Sequence, residues 1–273
     1  MAADSKGLLL GKQVPAATHY APELLYPIAR RDARDALGFT EKLPFEGFDV
    51  WHAYELSWLG RDDKPRSRVG RFTIPATTPN LVESKSFKLY LNSLNNAVFD
   101  SEEAVIACIV RDIGAAAGGD VAFEMFAADD AALAGAQPSG LCVDSASGRW
   151  PRREPDAAML LCSKGSVVEE QLYSHLLRSL CPVTGQPDWA TLWLHYRGPA
   201  LDHAALLSYI LAYREHQDFH EQCVERIFRD LQQACQPEFL HVQAFYTRRG
   251  GMDINPFRSS GGGRPPWLRL ARQ

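Results

Sequence analysis

The amino-acid sequence predicts an α+β protein whose two halves repeat one element order, each an antiparallel sheet with two helices on one face. Three observations lead there. Strand-like segments rich in β-branched and aromatic residues open each half, and two helix-period segments come after them. A further strand-like segment closes each half, so the order β-β-α-α-β occurs twice. Residues 128–168, between the halves, are rich in Ala, Gly, Ser and Pro, as a linker or variable insertion is.

Residues 1–43 carry Pro15, Pro22 and Pro27 with little periodicity and are expected as an extended arm. FDVWHAYELSWL (48–59) and RVGRFTIPA (68–76), separated by the polar RDDKPRS, read as a β-hairpin. SFKLYLNSLNNAV (86–98) places apolar residues at 87, 89, 91, 94 and 98, a helical spacing. Asp100 or Ser101 caps a second helix whose buried side is expected to hold Ala104, Val105, Ile106, Cys108, Ile109, Val110 and Ile113, and which stops at Gly118-Gly119. DVAFEMF (120–126) returns as a strand.

In the second half, EEQLYSHLLRSL (169–180) has a helical composition. Its short loop to the evident strand WATLWLHYRG (189–198) nevertheless favours a hairpin arm. LDHAALLSYILAYREH (201–216), with Asp202 as N-cap, and FHEQCVERIFRDLQQAC (219–235) are amphipathic helices, and EFLHVQAFYTRR (238–249) is a strand. The expected division is a first module over residues 1–135, a linker over 136–168 and a second module over 169–273.

Composition narrows the function classes. An apolar fraction of 46% and a charged fraction of 23% over 273 residues are those of a globular protein. A net charge of −4 gives no bulk attraction to nucleic acid or anionic membrane. No run approaches the roughly 18 apolar residues of a membrane span. The apolar stretch in MAADSKGLLLGKQV is too short for a secretory signal. A soluble, cytoplasmic protein is expected. The six cysteines, at 108, 142, 162, 181, 223 and 235, contain no C-x-x-C pair and read as free thiols, with Cys108, Cys223 and Cys235 as small buried hydrophobes.

No G-x-G-x-x-G follows a strand, and no P-loop, H-E-x-x-H, deaminase-type zinc signature or G-x-S-x-G is present. No metal is expected. Three constellations remain. In SLCPVTGQPDW, Cys181 sits in a Pro/Gly-rich loop between strands, more accessible there than a core thiol, with Asp188 across the loop to exchange a proton. An ordinary hairpin loop carrying an incidental thiol explains the spacing equally well. Glu83-Ser84-Lys85-Ser86-Phe87-Lys88 puts a carboxylate and free N–H groups at a helix start, suited to a polar heterocycle, to phosphate or simply to capping. Phe219-His220-Glu221 also opens a helix. Its His can donate protons near neutrality and its Glu can accept two N–H bonds, although a Glu there also favours the helix dipole.

ESKSFKLYLNS, SLCPVTGQPDW and FHEQC…YTRRGG together resemble the NADPH-dependent 7-cyano-7-deazaguanine reductases in their long, two-module form, over most of the chain. The resemblance implies two tandem tunnelling-fold modules, a homodimer, and a site assembled where the modules meet. It implies reduction of a nitrile to an aminomethyl group with two NADPH, on a free base rather than on nucleic acid, for the queuosine modification of tRNA. Cys181 is implied as the nucleophile forming a thioimidate, Asp188 as its proton partner, and His220 as a proton donor to nitrogen. Val82, Glu83, Ser84, Phe219, His220 and Glu221 are implied to bind the substrate, and Ser84, Lys85, Arg249 and Gly250 to bind NADPH. A cysteine-dependent nitrile or amide hydrolase using Glu83, Lys85 and Cys181 is the alternative enzyme. A purine-binding module without catalysis is the alternative outside enzymes.

Overall fold

A computed structural model describes residues 17–39, 42–148, 150, 153–266 and 268–273. The apolar stretch near the start of the chain and Pro15 lie outside the described residues. The elements are, in order, β1 (Pro27–Ala29), α1 (Arg31–Ala36), β2 (Glu46–Leu59), β3 (Pro65–Pro75), β4 (Asn80–Val82), α2 (Ser84–Ser93), α3 (Glu102–Ala117) and β5 (Ala122–Phe126). They continue as β6 (Leu141–Cys142), β7 (Cys162–Leu180), β8 (Pro187–Leu201), α4 (His203–Leu211), α5 (His220–Cys235), β9 (Phe239–Tyr246) and β10 (Met252–Ser259). The protein is of mixed α+β type with mainly antiparallel strands. Residues 17–39, expected as an extended arm, hold β1 and α1, and β7 begins at Cys162, inside the expected linker. Among the described residues no helix is long and apolar enough to cross a membrane.

The residues divide into two compact units that interleave along the chain. Of the described residues, the first holds 17–32, Val50–Leu133 and Arg248–Asp253; the second holds those of Ala33–Asp49, Ala134–Thr247 and Ile254–Gln273.

In the first unit β3 lies between β2 and an antiparallel β5, with Val69 opposite Phe126 and Thr73 opposite Ala122. Trp51, Phe72 and Phe87 form its aromatic core, the Phe72 and Phe87 rings meeting edge-on at 4.9 Å. Helix α3 buries Val105, Cys108, Ile109, Asp112 and Ile113, a 3.6-residue stripe with one acid in it, while Ala104, Ile106 and Val110, also expected on the buried side, are half-buried because they flank that stripe. That acid, Asp112, accepts a hydrogen bond from the buried Tyr90 hydroxyl at 2.8 Å. Ser101 caps the helix by accepting from Ala104 N–H, and Gly118, at φ +79°, ends it. The short β1–β4 pair sets the backbone of Val82, opposite Pro27, and so fixes where the chain enters α2.

In the second unit the strand order is β10-β9-β8-β7-β6. Helix α5 buries Cys223, Val224, Ile227, Phe228 and Leu231, again at helical spacing. Asp202 caps α4 as expected, accepting from Ala205 N–H at 2.8 Å. Cys162, opening β7, and Cys235, closing α5, are joined as a disulfide with their Cα atoms 5.8 Å apart. This corrects the expectation of six free thiols and of Cys235 as a plain core residue. The pairing spans 73 positions and depends on where strand and helix end, which residue spacing does not encode.

Arg258 of β10 is wholly buried. Its Nη2 donates to Glu225 Oε1 at 2.9 Å and its Nη1 to Asp49 Oδ1 at 2.8 Å. Arg34 of α1 donates to both oxygens of Glu225, at 2.7 and 3.0 Å. Burial works against the Arg258 charge, and the two carboxylates outweigh it, so the guanidinium stays charged. The group holds two cations and two anions and joins α1, β2, α5 and β10. Replacing Arg258 with Met leaves Asp49 and Glu225 short of a buried cation. The expected cost is about 3–5 kcal/mol, read as a lowered urea midpoint against the unsubstituted protein.

Candidate active site

The β7–β8 hairpin carries the cysteine loop. Its register pairs Ser179 with Asp188 and Leu180 with Pro187, so the turn spans residues 181–186. Cys181 N–H donates to Gln186 C=O and Gly185 N–H to Cys181 C=O, both at 2.9 Å, and Gly185 adopts φ +65°. Leu180 N–H donates to His216 C=O, and Asp218 N–H to Leu180 C=O, so the hairpin end is strapped to the segment leading into α5. Cys181 is 5% exposed. The accessible loop thiol expected from sequence is thus corrected: proline and glycine mark the turn, while the side chain faces inward.

Asp188 is also buried, and its Oδ2 lies 3.3 Å from His220 Nε2. Two constellations that are separate in sequence therefore meet in the second unit. His220 is the first residue of α5, after Phe219 at the N-cap, whose N–H donates to Gln222 Oε1 at 3.4 Å. Glu221 comes next, 4% exposed. Tyr246, at the end of β9, is a residue that sequence reasoning missed. Its ring stacks on the His220 imidazole with centroids 3.8 Å apart and planes 14° from parallel. It lies 26 positions after His220, so no local motif could include it. The available signal was strand alternation, which puts Tyr246 on the same face of β9 as the buried Leu240, Val242 and Ala244.

In the first unit, Glu83 is the N-cap of α2. Its two carboxylate oxygens accept from Lys85 N–H and Ser86 N–H, each at 2.8 Å, and its own N–H donates to Tyr26 C=O. Burial pushes its carboxyl above the ordinary range, against the pull of those two N–H groups. Val82 is buried at the end of β4, while Ser84 and Lys85 in the first turn of α2 are half-buried. Arg249 and Gly250 are exposed in the turn before β10, closed by paired backbone bonds between Arg249 and Met252. Gly250 and Gly251 adopt φ +58° and +80°, and a Cβ on Gly250 would lie 3.1 Å from Lys88 Nζ. A shallow cavity in this unit is lined by Glu55, Lys88, Asn92, Asn95, Gly250 and Gly251. The turn offers close backbone access and the cations Arg249 and Lys88, the latter paired with Glu55 at 3.5 Å; glycine with Lys and Arg is a set that suits a phosphorylated dinucleotide. Among the described residues no group of three or more His, Cys, Asp or Glu could hold a metal ion.

Two family models match the chain. One, described as nitrile reductase, 7-cyano-7-deazaguanine-reductase N-term, matches residues 16–125; the other, described as QueF-like protein, matches residues 187–264. An NADPH-dependent 7-cyano-7-deazaguanine reductase from Dechloromonas aromatica is 54% identical over 255 residues, 92% of this chain and 90% of that one. The protein of the same name from Chromohalobacter salexigens is 50% identical over 266 residues, 97% and 96% of the two chains. That from Burkholderia orbicola is 51% identical over 255 residues, 92% of each chain.

The strap beside Cys181 titrates. Burial pulls the His216 imidazolium down, but Asp218 and Glu154 together overcome it and hold its pKa above the ordinary 6.5. A group raised in the folded state lends stability below its unfolded pKa and loses it as pH climbs through the folded value. Unfolding midpoints should therefore fall as pH rises past about 6.5, and His216→Asn should flatten that fall in urea titrations across the range.

Proposed function

The chain belongs to the NADPH-dependent 7-cyano-7-deazaguanine reductases, and on that basis we propose that it reduces the nitrile of 7-cyano-7-deazaguanine to the aminomethyl group, a step of queuosine biosynthesis. The observation that carries the chemistry is a buried thiol at the hairpin end that also holds Asp188, with Asp188 3.3 Å from His220.

A nitrile carbon is a poor hydride acceptor. Addition of Cys181 Sγ forms a carbon–sulfur bond and turns the nitrile into a thioimidate, splitting one hard step into easier ones. Asp188 takes the thiol proton and delivers it to the nitrile nitrogen, the general acid–base work its place in the hairpin suits. Bound NADPH supplies the hydrides, two per nitrile. After the first reduction the Cys181 thiolate leaves, giving an imine, and the second reduction yields the amine. His220, with its Nε2 3.3 Å from Asp188 Oδ2, protonates nitrogen during reduction. An imine in water hydrolyses, so the burial of Cys181 and Asp188 serves the chemistry as well as the fold.

Glu221 is the acceptor for the N–H edge of the base, with Phe219 alongside. A buried carboxylate deprived of those donors costs about 1–3 kcal/mol, which discriminates against bases lacking them. Val82, Glu83 and Ser84 are assigned to the substrate too. Glu83 does this with the lone pairs left after capping α2, since a carboxylate offers about four. Ser84, Lys85, Arg249 and Gly250 are assigned to NADPH. Family membership also supports tandem tunnelling-fold modules and a cytoplasmic homodimer acting on the free base.

Mixing the protein with 7-cyano-7-deazaguanine and following NADPH absorbance should show two NADPH oxidised per nitrile. Without NADPH, intact mass should show an adduct that Cys181→Ala abolishes. Asp188→Asn should lower turnover by about 10²–10⁴-fold. Formation of the carboxylic acid with no NADPH consumed would overturn the reductase reading.

A further inference from the structure

A catalytic imidazole is ordinarily aimed by hydrogen bonds at both ring nitrogens. His220 lacks that arrangement. Its Nδ1 is buried with no hydrogen-bond partner among the described residues, and its Nε2 has only the 3.3 Å approach to Asp188 Oδ2. One contact at one nitrogen leaves the ring free to rotate about the line to Asp188. The plane of the ring is set instead by Tyr246, stacked at 3.8 Å and 14°.

Tyr246 is built to hold still. It is 1% exposed, and its place on β9 pairs it with Ala190, two residues beyond Asp188 on β8. Gln273 Nε2 donates to its carbonyl at 3.1 Å. The strand that carries Asp188 thus also fixes the plate on which His220 rests. Burial, and then the neighbouring Cys223, push the phenol well above its ordinary pKa, so the ring stays neutral. Ser179 and Cys223 lie near the hydroxyl, but it makes no hydrogen bond of ordinary geometry among the described residues. What Tyr246 contributes to His220 therefore comes from its ring face.

We propose that Tyr246 is a positioning residue for His220, holding the imidazole plane so that Nε2 meets the nitrogen of the substrate during reduction. The proposal rests on the reading of His220 as proton donor, and the experiment separates the two. Thioimidate formation needs Cys181 and Asp188 but not this stack, so adduct formation without NADPH reports that a variant still folds its site. Tyr246→Phe keeps the ring and loses only the hydroxyl; Tyr246→Met keeps comparable bulk and loses the ring.

Tyr246→Phe should retain most of the turnover. Tyr246→Met should form the Cys181 adduct normally while kcat for NADPH oxidation falls about tenfold to a hundredfold, part of what a general acid contributes, with little change in KM. In a His220→Ala background Tyr246→Met should cost nothing further, because a positioning residue has nothing left to position. Tyr246→Leu takes its place if the Met variant does not fold. The proposal is overturned by undiminished turnover in both ring-less variants, by equal losses in Phe and Met, or by a loss that persists without His220. A His220→Ala protein that reduces at the full rate would remove the proton-donor reading itself, and this proposal with it. A wild-type protein that consumes no NADPH would point to the assigned reaction instead.

Discussion

Glu225 of α5 is held between Arg34 and Arg258, and the placement of His220 and Glu221 depends on that hold. Glu225 sits one helical turn after Glu221, so the two carboxylates share a helix face. The ion pairing on this face is carried by Glu225, which meets both guanidinium groups. Arg258 is buried in β10, and Asp49 completes its shell. Such a group is weak evidence of net stability, since desolvation offsets much of the attraction. What it supplies is direction: a guanidinium fork accepts few orientations of a carboxylate, so α5 is held in one rotation and one register. The disulfide from Cys162 to Cys235 then fastens the far end of the same helix.

With α5 held, the hairpin brings Cys181 and Asp188 to it. Antiparallel pairing of Ser179 with Asp188 puts Cys181 and Asp188 at one end of β7–β8. Backbone bonds from Leu180 to His216 and Asp218 then bring that end to the start of α5. Asp188 and His220 therefore stand on a strand and a helix terminus, and Cys181 lies in the turn. Rigid elements hold such geometry better than loops do. In the first unit Glu83 combines two duties: its oxygens satisfy the N–H groups at the start of α2, and capping fixes the carboxylate's direction without exhausting its acceptors.

Much of this architecture is legible in the sequence wherever a local period or turn signal suffices. The α3 and α5 stripes, the Ser101 and Asp202 caps and the β2–β3 and β7–β8 hairpins come from spacing and side-chain chemistry over a few residues. The ambiguous segment 169–180 is strand because a short turn to β8 leaves it little choice. Residues 17–39 are not legible in this way, because β1 is three residues long and exists by pairing with β4, more than fifty positions away. Arg34 reads as one basic residue among several in a polar stretch, yet it meets Glu225, 191 positions on.

By itself the sequence determined the class of fold and, through the resemblance its motifs carry, the reaction, and it marked Cys181, Asp188 and His220 as candidates. Only the tertiary structure decided that Cys181 is buried, that Asp188 faces His220, that Cys162 reaches Cys235, and that Tyr246 lies flat against the imidazole. Local preferences act over a turn or a strand and are written in neighbouring residues. Contacts across 26, 73 or 191 positions depend on how whole elements pack, and no short stretch of chain contains that information.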